Sequence, residues 1–164
     1  MTYYVIIRGP LGVGKTTISK KLIKKINGEY ISIDKVVKEN EFIGKEREDG
    51  YFTQNCYLKA NKIIIPKIKD LIKKGVPVVL DGNFYWKSQI DYLIEKLDIE
   101  HYIFTLMAPL EVCIDRDSKR EKTHGRETST AIYNKLKELD YGIPIGIDRD
   151  INEAVEKILS HLPK

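Results

Sequence analysis

Gly9, Gly14, Lys15 and Thr16 stand at the spacing G-x-x-x-x-G-K-[ST] within the stretch GPLGVGKTT. Residues of these types at this spacing suit the holding of a phosphate chain. Glycines at 9, 12 and 14 let backbone N–H groups turn inward around an anion, through dihedrals and approaches that a Cβ would block. Lys15 would reach the β- and γ-phosphates of a nucleotide, and the Thr16 hydroxyl would coordinate Mg²⁺. Gly9, Leu11, Gly12, Val13, Gly14, Lys15, Thr16 and Thr17 are therefore the expected nucleotide cradle.

Two carboxylates follow apolar runs of strand type: Asp34 after EYISI and Asp81 after VPVVL. Parallel strands joined by right-handed crossovers deliver their C-terminal residues to one edge of a sheet. Both carboxylates should therefore arrive beside the phosphate loop. One could accept the proton of an attacking hydroxyl and the other hold Mg²⁺ through water. Asp34 is read as the base and Asp81 as the metal-side group, although their positions also permit the exchange. An Asp just after a strand can equally be a helix N-cap.

Arg116 and Arg120 are spaced i, i+4 and would share a helix face. A guanidinium fork suits the spread charge of a transferring phosphoryl group. The segment RDSKREKTHGRE mixes both charge signs and reads as a mobile lid around 116–128, with Arg126 a further lid candidate and His124 solvated. Lys35, Lys38 and Asn83 are the expected contacts to the acceptor, together with Asp34. The aromatic run Phe84-Tyr85-Trp86 is either a stacking platform or core beneath a loop, and Tyr51, Phe52 and Tyr57 carry the same ambiguity.

These residues need elements to position them. Apolar runs predict strands over 3–8, 29–33, 76–80, 101–107 and 145–148. Helical spacing predicts helices over 15–26, 51–74 (kinked at Pro66), 89–97, 110–120, 130–139 and 152–162, with a polar, weakly patterned section over 38–50. Asn27-Gly28 stops the first helix. The alternation predicts a three-layer α/β fold, one domain over 1–164, with a parallel sheet covered on both faces. The bulk numbers agree: 164 residues, 42% hydrophobic and 32% charged, describe a globular domain with a real core. A net charge of +4 gives a mild pull toward anionic partners or reflects a Lys-rich proteome. Cys56 and Cys113 lack the spacing of a zinc site or a disulfide framework. The first strand leaves no room for a signal peptide, and no apolar run nears the ~20 residues of a membrane span. A cytoplasmic monomer or homodimer without membrane contact is the expectation.

In order along most of the chain, GPLGVGKTT, SIDK, VVLDGNF and CIDRDSKR, then the helix around AIYNKLKEL, resemble the small P-loop kinases related to polynucleotide 5′-hydroxyl kinases and zeta-toxin-like phosphotransferases. The resemblance implies a P-loop NTPase fold of the nucleoside-monophosphate-kinase type, with about five parallel strands and the phosphate-loop strand central. It implies Asp34 as base, Arg116 and Arg120 on ATP, and cleavage between the β- and γ-phosphates of ATP with Mg²⁺. The expected reaction moves the γ-phosphate to a hydroxyl of a small molecule or of a nucleic-acid 5′ end. The alternative is a nucleotide-dependent switch that acts through a partner. In polynucleotide kinases an arginine shortly after the base grips a nucleic-acid phosphate, whereas SIDKVVKEN offers only Lys35 and Lys38. A nucleoside monophosphate kinase would need arginines over 38–51, where only Arg47 stands.

Overall fold

The computed structural model describes residues 2–41, 46–147 and 150–164. Five strands form the sheet: β1 (Tyr4–Arg8), β2 (Glu29–Ser32), β5 (Val78–Asp81), β6 (His101–Met107) and β7 (Ile143–Gly146). Their order is β2-β5-β1-β6-β7 and every pairing is parallel, so β1 is central, as the resemblance implies. All five residues of β1 are buried, as the middle strand of a sheet covered on both faces should be.

Helices α1 (Lys15–Ile26) and α7 (Ile151–Leu159) cover one face, where Ile18, Leu22, Val155 and Ile158 meet Val5, Ile7, Val79 and Phe104. Helices α3 (Gln54–Lys73) and α4 (Lys87–Leu97) cover the other, with Ile64, Ile68, Ile90 and Leu93 against Tyr4, Ile6 and Leu80. Helix α5 (Leu110–Ser118) follows β6, and α6 (Arg126–Lys137) adds Leu136 to the second core. Asn27 closes α1 in the left-handed region at φ 51°, its N–H bonded to the Ile23 carbonyl, which is the stop the sequence signals.

Several boundaries differ from the sequence reading, each for a local reason. The second strand ends at Ser32, whose hydroxyl caps helix α2 (Ile33–Glu39) by accepting from the Lys35 N–H at 3.3 Å. The polar section holds a hairpin, β3 (Arg47–Glu48) and β4 (Tyr51–Phe52), turned by Asp49 and Gly50 at φ 52° and 84°. Two positive φ values in a two-residue turn are the Asp-Gly hairpin signature. The long helix therefore begins only at Gln54, after the Thr53 cap, and runs unbroken through Pro66. Helix α5 stops at Ser118, so Arg120 lies beyond it and shares no helix face with Arg116. The last strand is Ile143–Gly146, earlier than 145–148, and Asp148 lies outside the described residues. Among the described residues no helix is long and apolar enough to cross a membrane.

Candidate active site

The chain leaves β1 at Arg8 and wraps directly into the phosphate loop. Gly12 sits at φ 77°, and a Cβ there would lie 2.1 Å from the Cys113 carbonyl oxygen of α5. The loop is thus pressed against helix backbone, and only glycine permits it. Gly14, at φ 106°, opens α1 with no side-chain cap and no acidic residue in the first turn. The helix start keeps its unpaired N–H donors and positive dipole end for an anion. Lys15 is nearly buried and donates from Nζ to the Pro10 carbonyl at 2.8 Å. Burial pulls its ammonium below the usual range, while Asp81 and Asp34 oppose that pull.

Asp81 ends β5 directly beside β1, in register with Ile7. Its Oδ2 accepts from the Thr16 hydroxyl at 2.9 Å and from the Tyr30 hydroxyl at 2.7 Å. An all-oxygen pair of hydroxyl and carboxylate fits Mg²⁺, which keeps several waters and shares phosphate oxygens rather than needing a protein cage. Asp34 stands in the first turn of α2. Burial raises its carboxyl above the ordinary range, Lys15 lowers it, and Asp81 raises it again, with Lys38 and His124 lowering it. The charges of both carboxylates are thus felt at Lys15, Asp81 from the end of β5 and Asp34 from the first turn of α2.

The arginines reach the same place by different routes. Arg116 donates from Nη1 to the Val13 carbonyl at 3.2 Å, against the loop. Arg120, past the end of α5, has its guanidinium 4.0 Å from the Asp117 carboxylate, and its charge is felt by Lys15. Asp117 is 2% exposed and also accepts from the His124 backbone at 2.8 Å, with the His124 ring 2.9 Å away. His124 is thus held at the base of the turn while its ring stays partly exposed. Arg126 turns away to a paired bond with Glu111 at 2.9 Å.

The acceptor candidates divide. Lys38 is exposed, yet its charge reaches Asp34. Lys35 pairs instead with Glu39 at 3.7 Å on the helix surface. Asn83 is buried, and its Oδ1 has no partner among the described residues. Phe84, Tyr85 and Trp86 are 1%, 4% and 8% exposed, so they pack and are not an open stacking surface. Tyr57 and Tyr85 bond phenol to phenol at 3.1 Å, and both feel the charge of Asp34. Trp86 donates to the Phe52 carbonyl at 2.8 Å, Arg47 stacks 4.0 Å from the Phe52 ring, and Tyr51 donates to the Ala131 carbonyl at 3.0 Å. Tyr57 of α3 and Tyr85 of the loop after β5 therefore stand toward Asp34, with the hairpin packed on both through Tyr51 and Phe52. The candidate catalytic side chains gather at this sheet edge and not in the cleft of about 320 Å³ between β6, β7 and α6.

Sequence reasoning missed two residues. Arg8, fully buried, donates to the Phe84, Leu139 and Tyr141 carbonyls and to the Thr105 hydroxyl at 3.0–3.3 Å, tying the end of β1 to β6 and to the loops after β5 and α6. A charged residue closing an otherwise apolar strand was its only signal. Tyr30 looked like an ordinary strand residue, and its period-2 match with Ser32, which pairs with Asp81, was the available clue.

A P-loop fold of the kinase type is what this sheet and site define. The chain belongs to the AAA domain family AAA_33, which it matches over residues 5–139. Among solved structures, a sugar kinase from Janibacter sp. HTCC2649 superposes with TM-score 0.78 at 20% identity, covering 98% of this chain and 94% of that one. A gluconokinase from Sinorhizobium meliloti 1021 gives 0.74 at 15% identity, covering 96% and 89%. An adenylate kinase from Mycoplasmopsis pulmonis is 28% identical over 145 residues, 82% of this chain and 66% of that protein. A tRNA dimethylallyltransferase from Thermodesulfovibrio yellowstonii is 26% identical over 178 residues, and the match spans half of its length. The fold is that of a kinase-like P-loop NTPase.

Proposed function

We propose that the protein is an ATP- and Mg²⁺-dependent phosphotransferase that moves the γ-phosphate onto a hydroxyl of a small molecule. The observation that carries this reading is the separation of two carboxylates around Lys15. Asp81 is engaged with Thr16, while Asp34, raised by burial, is free of that pair and faces the phenol-lined side. A carboxylate tuned upward is a better proton acceptor near neutral pH than an ordinary one. Asp34 takes the proton of the attacking hydroxyl, and Lys15 with the loop N–H groups holds the phosphates in line. Thr16 and Asp81 would hold Mg²⁺, which when bound neutralises charge on the β- and γ-oxygens. Arg116 and Arg120, in a lid over 116–128, cover the nucleotide and exclude water.

A small acceptor is favoured over a nucleic-acid end by the walls around Asp34. The aromatics there are buried, Lys35 pairs with Glu39, and no arginine stands shortly after the base, within SIDKVVKEN. The sugar kinase and gluconokinase among the structural relatives support the same direction. The test is transfer from γ-labelled MgATP to sugars, sugar acids, nucleosides, nucleoside monophosphates and a 5′-hydroxyl oligonucleotide. Label on a hydroxyl of a small molecule, lost in Lys15→Ala and Asp34→Asn, is the expected result. Label on a monophosphate overturns the hydroxyl reading, label on the oligonucleotide overturns the small-molecule reading, and acceptor-independent hydrolysis points to the switch.

A further inference from the structure

Tyr30 lies on β2, the edge strand, and is in register with Val79 of β5 while Ser32 pairs with Asp81. Side chains two apart along a strand share a face, and Val79 packs in the core under α1. Tyr30 therefore lies on the α1 side of the sheet, where the Lys20 ammonium sits 6.0 Å from its ring. From there its hydroxyl reaches the end of the neighbouring strand and donates to Asp81 Oδ2 at 2.7 Å. Thr16 donates to that same oxygen at 2.9 Å from the first turn of α1. Two hydroxyl donors from two elements thus converge on one oxygen of one carboxylate. A carboxylate held by a single hydroxyl can rotate about its last bond, whereas a second donor from another direction fixes its plane.

We propose that Tyr30 is a positioning residue for the divalent cation: by engaging Asp81 Oδ2 from the β2 side, it turns Oδ1 toward the water shell of a metal ion bound with the nucleotide. This rests on the phosphotransferase reading only in so far as the site binds a metal–nucleotide complex. Tyr30 bonds to Asp81 and also meets the Thr16 and Ser32 hydroxyls, so its effect runs through these side chains. Second donors of this kind orient ligands, and their removal costs about 10- to 100-fold in metal affinity where the ligand is direct. Here the carboxylate acts through water, and a loss of about 5- to 10-fold is expected.

The experiment compares the full chain with Tyr30→Phe, which removes one oxygen and keeps the ring. Free Mn²⁺ is titrated by electron paramagnetic resonance in the presence of ADP, and ADP binding without metal is measured by fluorescence of a labelled analogue in EDTA. The expected result is Mn²⁺ affinity weakened about 5- to 10-fold in Tyr30→Phe, with metal-free ADP affinity and melting temperature unchanged. Mn²⁺ affinity within twofold of the parent overturns the proposal, as does a parallel loss of metal-free ADP affinity, which would mark a merely structural residue. Should Tyr30→Phe be too unstable to assay, Tyr30→Gln carries the test. It returns a donor, and Mn²⁺ affinity within about threefold of the parent supports the proposal while a tenfold loss overturns it. A parent that binds no ADP at all sinks the nucleotide reading itself, a result distinct from any difference between parent and variant.

Discussion

The two sides of the cleft are built in opposite ways. The nucleotide side is nine consecutive residues, Gly9 to Thr17, plus one carboxylate from the neighbouring strand. The proposed acceptor side draws on α2, the β3–β4 hairpin, the loop after β5 and α6, held by bonds such as Trp86 to Phe52 and Tyr51 to Ala131. A local site is fixed by backbone geometry that few residues can adopt. A dispersed one is fixed by side-chain packing that many sequences satisfy. The same fold can therefore keep its phosphate chemistry while its acceptor changes, which fits a group of relatives whose names include both sugar and nucleotide kinases.

The largest effects should separate the two sides. Asp34→Asn should lower transfer about 10³-fold, within the 10²–10⁴ range of a general base, while MgATP affinity stays within about twofold. Lys15→Ala should lower transfer by at least as much and weaken MgATP binding too. Isothermal titration beside a transfer assay reads both, and a matched loss of affinity in the two variants would dissolve the distinction between base and phosphate clamp. Next in size is Gly12→Ala. Its Cβ would collide with the Cys113 carbonyl at 2.1 Å, so the loop or α5 must shift. Nucleotide affinity should fall about 10- to 100-fold, at roughly 1.4 kcal/mol per decade. Unchanged binding would mean that the loop tolerates displacement from α5.

This contrast also decides what was legible in sequence. The phosphate loop could be read because each residue type answers a backbone demand within one turn. Asp81 could be placed because parallel strands deliver their ends to one edge and β1 is central as the resemblance implies, whereas Asp34 sits two residues past β2, in the first turn of α2. The i, i+4 argument for Arg116 and Arg120 failed, because helix α5 ends at Ser118 and Arg120 reaches the site from the following turn. Helix α2 was hidden because Ile33 and Val37, its buried pair, span a single turn and carry too short a period to register. The Asp49-Gly50 turn carried a readable hairpin signal, but two-residue strands flanking it gave no alternation to support it. Tyr57 and Tyr85 meet only through the tertiary fold, 28 residues apart, and no spacing announces such a pair.

A smaller effect tests whether the acceptor wall is specific. Arg47 stacks on Phe52 and its charge is felt at Tyr85, yet it touches none of the phosphate loop. Arg47→Ala should raise the acceptor KM about 2- to 5-fold, the equivalent of an exposed cation–π contact of ~0.5–1 kcal/mol, and leave the KM for MgATP unchanged. An equal rise in both would tie the hairpin to the nucleotide side and erase the division.

The smallest effect is also the one whose sign is least intuitive. Asp34 has its folded-state pKa raised, chiefly by burial. Between its unfolded and folded values the folded chain holds the proton more tightly, so stability is fully present below the unfolded value and is lost as pH rises through the folded one. Once ionised, Asp34 therefore weakens the fold that it serves. Asp34→Asn should melt higher than the parent at pH 7, by about 2–4 °C for each kcal/mol recovered, and the difference should vanish near pH 4. Activity must move the opposite way in the parent: transfer falls as pH drops through the raised pKa, on a limb lying above the ordinary carboxylate range. Melting scans and a rate profile over pH 4–8 give both curves. A variant no more stable than the parent at pH 7 would mean that Lys15, Lys38 and His124 outweigh burial at Asp34, and the acid limb of the rate should then sit at or below the ordinary carboxylate value.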